Sequence, residues 1–139
     1  MNDARPPLRI GRSIAAVVIG IVATIAITIV TDIVLHAIKL FPPLDQRVPD
    51  ALLALATAYR TIYGIAGSYL TARLAPSRPV LHAMVGGALG FVVGIVGAVA
   101  TWNGGPAYET HWYPIALIVL ALPQSWLGGW LRERQIAGA

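Results

Sequence analysis

The sequence predicts an all-α integral membrane bundle of four transmembrane helices, with the N- and C-termini on the cytoplasmic side. Of the 139 residues, 57% are hydrophobic and 12% are charged, which leaves too few polar side chains to cover a water-soluble domain. Most charged residues lie at the termini or between long uncharged stretches, as a lipid bilayer requires. Residues 1–139 therefore form a single predicted transmembrane domain surrounded by the lipid bilayer.

The first predicted helix covers about residues 13–40 and ends at Phe41-Pro42-Pro43. Proline has no backbone N–H and restricts the residue before it, so two successive prolines stop a helix. The uncharged run is longer than the apolar segment of a secretory signal, so we expect it to remain in the protein. The second predicted helix covers about residues 50–74, begins after Pro49 and carries Arg60 near its middle.

The third and fourth predicted helices cover about residues 80–102 and 112–131. The segment Asn103-Gly104-Gly105-Pro106 separates them, because glycine and proline both interrupt a helix. Pro123 falls inside the fourth helix, where we expect a kink. Each of the four runs is long enough to cross the hydrocarbon core, for which about 20 residues of helix suffice.

The positions of lysine and arginine predict the orientation. Seven lie at the termini or in the turn after the second helix, namely Arg5, Arg9, Arg12, Arg73, Arg78, Arg132 and Arg134. On the other side lie two, Lys39 and Arg47, and cytoplasmic loops carry the excess of basic residues. The net charge of +4 therefore reflects topology rather than nucleic-acid binding. A belt at the outer membrane face is predicted from Trp102, Tyr108, Trp112 and Tyr113.

One polar stripe interrupts the first helix. Asp32, His36 and Lys39 follow at helical spacing, so they share one side of the helix. Asp32 lies ten residues from the prolines that end the first helix, and Arg60 lies eleven residues from the proline before the second. Both are therefore about 15 Å below the outer surface, where an unpaired charge costs about 2.5 to 3.5 kcal/mol. The matching depths predict an ion pair between Asp32 and Arg60.

Two interpretations of this cluster are open. In the functional one, the pair belongs to a proton or ion relay or binds an anion, with His36 as a titratable step and Tyr59 and Tyr63 lining the path. In the structural one, the pair fixes the register of two helices, and Lys39 extends to the membrane surface. A single pair in a small bundle favours the structural interpretation.

Glycines predict where helices approach closely. Gly86, Gly90 and Gly94 recur at every fourth residue of the third helix, and Gly64 and Gly67 lie on the second. Small residues at such spacing let two backbones come together. We expect contacts within the bundle, although the face on the third helix is also suited to a contact between chains.

The sequence carries no recognisable catalytic or metal-binding pattern. It has no cysteine, and His36, Glu109 and His111, all on the outer side, lack the spacing of zinc ligands. A nucleophile motif, a phosphate-binding loop and a catalytic carboxylate pair are also missing from the sequence. We therefore predict a protein that is not an enzyme and that uses no metal or other cofactor.

Several short strings cover most of the chain: Thr31-Asp32 with His36, Phe41-Pro42-Pro43, Ala58-Tyr59-Arg60, residues 70–76, Arg78-Pro79, His82-Ala83, Trp112-Tyr113-Pro114 and residues 122–129. In these strings the chain resembles a group of small uncharacterised bacterial membrane proteins. The resemblance implies a four-helix protein of a bacterial cytoplasmic membrane. It implies no activity, ligand or functional residue.

Two functions are consistent with the sequence. The first is a non-enzymatic accessory or interaction subunit, suggested by the glycine face and by the lack of a catalytic set of residues. The second is a small transporter or channel that uses the Asp32–Arg60 pair, and we expect it to be oligomeric because four helices enclose little space. The expected partner is a second copy of the chain or another membrane protein.

Overall fold

The computed structural model describes residues 9–139, and within that range the chain forms four α-helices and one short 3₁₀-helix, with no strand. The α-helices are α1 (Ile10–Ala37), α2 (Asp50–Leu74), α3 (Pro79–Thr101) and α4 (Trp112–Ala137), and the 3₁₀-helix is Pro106–Tyr108. The all-α prediction is confirmed for this range. Arg5, which counts toward the predicted orientation, lies outside the described residues.

The end of α1 differs from the prediction. The helix stops at Ala37 rather than at residue 40, because Lys39 adopts the left-handed conformation with φ of 60°. The chain turns back there, and the amides of Leu40 and Phe41 both donate to the Leu35 carbonyl, at 3.0 and 3.2 Å. A left-handed residue that closes the last turn in this way is a common helix ending. The prolines therefore follow the end of α1 instead of causing it.

The end of α4 also differs from the prediction. The helix continues to Ala137, beyond the predicted residue 131, and it runs through Pro123 without ending. The extra turns contain Arg132 and Arg134, so the apolar run stops before the helix does. Hydropathy marks where a helix leaves lipid, whereas helix formation depends on backbone hydrogen bonds. The bounds predicted for α2 are correct, and those for α3 differ by one residue at each end.

The helices pack as a bundle in which α2 contacts each of the others. α4 packs mainly on α2 and α3, whereas α1 packs mainly on α2 and more lightly on α3. The connections 38–49 and 102–111 lie at one end, which we call the loop end. At the other end, which we call the terminal end, lie the turn at residues 75–78, the N-terminus of α1 and the C-terminus of α4. There the Ser13 hydroxyl and His82 Nε2, 2.9 Å apart, join α1 to α3.

Small residues fill the interior, and large apolar residues cover the outside. The buried positions are mostly alanine and glycine, and no large side chain among the described residues is fully buried. Along α1, isoleucines and valines such as Ile14, Val22 and Ile33 are about half or more exposed. This distribution is the reverse of a water-soluble domain, and it places apolar side chains where lipid would contact them.

By length and composition, three helices in the described part of the chain are apolar enough to cross a membrane, namely α1, α3 and α4. The sequence predicts four such helices. α2 falls short because serine, threonine, tyrosine and Arg60 lower its hydropathy. A multi-pass membrane protein is thus supported in general terms. The composition of α2 alone does not mark it as a membrane span.

Candidate binding site at the loop end

The ion pair predicted from matching depths is present between α1 and α2. Arg60 Nη2 donates to Asp32 Oδ2 at 2.5 Å. The Tyr59 hydroxyl donates to the other oxygen, Asp32 Oδ1. Both carboxylate oxygens therefore accept a hydrogen bond from α2. Hydrogen bonds to charged groups contribute about 1.5 to 3 kcal/mol each, more than neutral ones.

A second polar contact lies next to the pair. The hydroxyls of Thr31 on α1 and Tyr63 on α2 are hydrogen-bonded at 2.9 Å. Tyr63 follows Tyr59 by one helical turn, and the two rings are 5.7 Å apart. The predicted residues Tyr59, Arg60 and Tyr63 thus all face α1 along one seam. This seam fixes the register of α1 against α2.

His36 and Lys39 are not bonded to the ion pair. His36 Nδ1 lies 2.7 Å from the main-chain oxygen of Asp32, one turn earlier. Because a carbonyl oxygen only accepts, Nδ1 is the donor in this contact. The His36 ring lies 5.6 Å from the ring of Phe41. Lys39 lies beyond the end of α1 and is exposed.

A cavity of about 340 Å³ lies beside the ion pair, between the helices and the connections of the loop end. We call it the loop-end cavity. The polar part of its lining is Asp32, His36, Tyr59 and Arg60, and its aromatic part is Phe41, Trp102, Tyr108, His111 and Tyr113. The Arg60 and Asp32 side chains keep 32% and 29% of their surface accessible. The charges therefore border a cavity rather than a closed core.

The sequence does not reveal that aromatic side chains line the loop-end cavity. The sequence assigns Trp102, Tyr108 and Tyr113 only to a membrane-surface belt. In the structure, His111 stacks on Trp102 with ring centres 3.9 Å apart, and its Nε2 donates to the Trp102 carbonyl at 3.0 Å. This contact holds the connection between α3 and α4 over the cavity. No short-range pattern reveals it, because the connection must first fold back.

Two buried polar atoms that belong to residues lining this cavity have no hydrogen-bond partner in the described protein. They are Arg60 Nε and Thr110 Oγ1. A buried donor without an acceptor costs about 1 to 3 kcal/mol, and these two atoms have almost no accessible surface through which a solute could reach them. The accessible part of the ion pair can still donate from Arg60 and still accept at Asp32.

A second cavity of about 260 Å³ lies toward the terminal end, and we call it the central groove. All of α1 to α4 contribute to it, and its polar lining residues are Thr24, Ser68, Thr71, Gln124 and Ser125. On every helix its residues lie at a different level from those of the loop-end cavity. Thr31 and Tyr63 lie between the two levels and line neither cavity.

The glycines of α2 are at close contacts, as predicted. A Cβ at Gly67 would lie 2.9 Å from the Gly20 carbonyl oxygen of α1, and one at Gly64 would overlap the Gln124 side chain of α4. Such spacing is tighter than ordinary van der Waals contact. Only glycine therefore lets α2 approach both neighbours.

The glycine face predicted for α3 is wrong at its centre as a contact within the chain. A Cβ at Gly90 would meet nothing within 4 Å, and one at Gly86 would only touch Val17 at 4.0 Å. A Cβ at Gly94 would lie 3.1 Å from the Ile118 side chain of α4. The tight position is instead Gly87, buried against α4. α3 is apolar on all sides, so its sequence does not reveal its rotation.

The residues described do not bring together three or more histidine, aspartate or glutamate side chains that could hold a metal ion. Comparison of the chain with protein-family models, with curated proteins and with solved structures gives no match. The geometry of the loop-end cavity is therefore the basis on which a function is proposed.

Proposed function

We propose that α1 to α4 all cross a bacterial cytoplasmic membrane, with both termini in the cytoplasm. α2 has 25 residues, about 37 Å of helix, which is sufficient length. It contacts α1, α3 and α4, and its exposed large apolar residues are limited to Leu55 and Ile62. Because its neighbours shield it from lipid, α2 needs less apolar surface to cross. The resemblance to bacterial membrane proteins supports the choice of membrane.

The orientation is supported by charge. At the terminal end the described part of the chain has six arginines, and at the loop end it has Lys39 and Arg47. The test uses the lack of native cysteine. In intact cells a membrane-impermeant thiol reagent should label Asn103→Cys at the loop end and spare Ser77→Cys at the terminal end. If only Ser77→Cys is labelled, the protein has the opposite orientation in the membrane.

We propose further that the protein is a small transporter or channel whose loop-end cavity gives a solute access to the Asp32–Arg60 pair. The supporting observation is that the pair borders a cavity and keeps about a third of its surface accessible. A purely structural pair would be better enclosed, because its strength grows as water is excluded. Intramembrane ionisable groups that face a wet cavity commonly mark solute or ion pathways.

Water access to the cavity is the direct test. Ala56 is buried and lines the cavity near Arg60, whereas Ala58 is exposed on the outside of α2 at similar depth. In intact cells, the impermeant thiol reagent should label Ala56→Cys and leave Ala58→Cys unreacted. The control matters because a thiol in lipid stays protonated and unreactive. If neither variant reacts in folded protein, the pair is enclosed and the proposal fails.

A non-enzymatic interaction subunit is the second candidate, and one observation favours it. Gly90 and Gly97 of α3 are both exposed, and a Cβ added at either position would meet no atom within 4 Å. Small residues facing outward are suited to contact with another transmembrane helix. Native mass spectrometry of the protein extracted from its host distinguishes the candidates. A stoichiometric second protein would support this role, whereas a homo-oligomer without one would support transport.

A further inference from the structure

The ion pair keeps donors free on its cation. Tyr59 and Arg60 Nη2 donate to the two oxygens of Asp32. Among the described side-chain hydrogen bonds, the Arg60 guanidinium donates only through Nη2, and the side chain keeps 32% of its surface accessible in a residue that lines the cavity. A solute that brings an acceptor can therefore bind to the cation of the pair. A carboxylate is the acceptor that fits a guanidinium best, since it receives two parallel hydrogen bonds.

Charge limits what can enter with that carboxylate. Asp32 and Arg60 together carry no net charge, so an added carboxylate alone would leave one excess negative charge inside the bundle. Such a charge is costly at membrane depth. One proton that enters with the carboxylate keeps the charge of the site unchanged, whereas a divalent phosphate would need two.

The groups that face the pair identify the proton acceptor. Arg60 already carries its proton, and the tyrosines 59, 108 and 113 are neutral phenols that do not gain one near neutral pH. His111 and His36 can gain one through the ring nitrogen that is not bonded to a carbonyl. Asp32 is the strongest candidate, because its carboxyl lies against the Arg60 guanidinium and, once protonated, can donate a hydrogen bond to the ligand carboxylate.

We propose that the loop-end cavity binds a small monocarboxylate together with one proton, an inference that rests on the proposed transport function. The ligand carboxylate pairs with the Arg60 guanidinium, and the proton moves from water to Asp32, which then donates a hydrogen bond to the ligand. Tyr59 continues to donate to Asp32. The apolar body of the ligand packs against Phe41, Trp102 and Tyr113, and a volume of about 340 Å³ is in the usual range for such sites.

The test compares benzoate with benzamide, which has the same size but no charge, on the purified full-length protein. Binding is measured by calorimetry, and proton uptake with an indicator dye in weakly buffered detergent, with protein-free micelles as the blank. Benzoate should bind at least tenfold more tightly than benzamide and take up one proton per molecule bound. Its affinity should fall about tenfold per pH unit above neutrality, as expected for one coupled proton. Benzoate binding without proton uptake would overturn the proposal.

Variants locate the proton. Asp32→Asn should bind benzoate with no proton uptake and with an affinity that no longer depends on pH, whereas His36→Gln should keep the uptake of one proton. If His36→Gln loses proton uptake, the acceptor is His36 and the assignment of the proton to Asp32 is overturned. This result is decisive even if Asp32→Asn does not fold. If benzoate does not bind but Ala56→Cys is labelled, this inference fails and the access proposal survives. If Ala56→Cys is not labelled, the access proposal itself fails.

Discussion

Replacing Gly128 with alanine tests a close contact between the backbones of α2 and α4. A Cβ at Gly128 on α4 would lie 2.5 Å from the Ile65 carbonyl oxygen and 2.7 Å from the Tyr69 amide nitrogen, both in the backbone of α2. Side chains can rotate away from such an overlap, but a helix backbone cannot. To reach an ordinary contact near 3.4 Å, α2 and α4 would have to separate locally by about 0.9 Å.

The energy follows from this overlap. An extra methyl group in a tightly packed interior costs about 1 to 3 kcal/mol. Alanine favours a helix over glycine by about 0.8 to 1 kcal/mol, which offsets part of that cost. Because the atoms that the added methyl group meets belong to the backbone of α2 and cannot rotate away, the packing cost at Gly128 falls in the upper half of its range, about 2 to 3 kcal/mol. Gly128→Ala should therefore destabilise the fold by about 1 to 2 kcal/mol after the offset. Gly90→Ala, which meets nothing within 4 Å, should be neutral or stabilise it by up to about 1 kcal/mol.

The assay is reversible unfolding in mixed micelles, with sodium dodecyl sulfate as the denaturant and helical circular dichroism as the signal. Gly128→Ala should shift the midpoint to lower denaturant, and Gly90→Ala should leave it unchanged or raise it. Wild-type stability for Gly128→Ala would refute the packing deduced for α2 and α4. An equal loss at Gly90 would show that this glycine is covered in solution, for example by another copy.

In the same unfolding assay, two further changes test the seam between α1 and α2, and a third tests the backbone at the end of α1. Asp32→Asn should lower the free energy of unfolding by about 1 to 3 kcal/mol, a range reduced because the pair is partly exposed. Adding Arg60→Gln should recover part of that loss. If the two losses simply add in the double variant, the pairing is contradicted. Tyr63→Phe removes the bond to Thr31 and should cost about 0.5 to 1.5 kcal/mol, so no change would indicate that this bond contributes nothing. Lys39→Gly should stabilise the fold by up to about 1 kcal/mol, because Lys39 has a left-handed φ of 60°, and a loss would argue against that backbone.

The helices and the ion pair could be predicted from sequence because both depend on distance along the chain. A long apolar run must be helical in lipid, and residues at equal depth on consecutive helices can meet. The same reasoning failed at the end of α1. There the left-handed Lys39 closes the helix before the prolines are reached, and nothing in the residue type lysine indicates that conformation.

The packing glycines of α3 and α4 and the aromatic lining of the cavity could not be predicted, because they depend on the rotation of helices and on folded connections. α3 offers glycines on several sides, and the structure uses Gly87 where the spacing favoured Gly90. On α4 the tight positions Gly128 and Gly129 contact α2 and α3, although their four-residue spacing partners are not glycines. Hydropathy does not mark α2 as a membrane span, and the proposal that it crosses rests on its central position among the other helices.

The pairing of Asp32 with Arg60 also bears on how the chain enters the membrane during synthesis. With α2 as a span, α1 carries Asp32 close to its loop end and α2 carries Arg60 near its middle, and an unpaired charge at the centre of a membrane helix opposes insertion by about 2.5 to 3.5 kcal/mol. The composition of α1 is apolar enough for it to insert by itself, whereas the composition of α2 does not mark it as a span. We therefore expect α2 to partition into lipid as a unit with α1 already present, so that Asp32 assists the biogenesis of the segment that follows it.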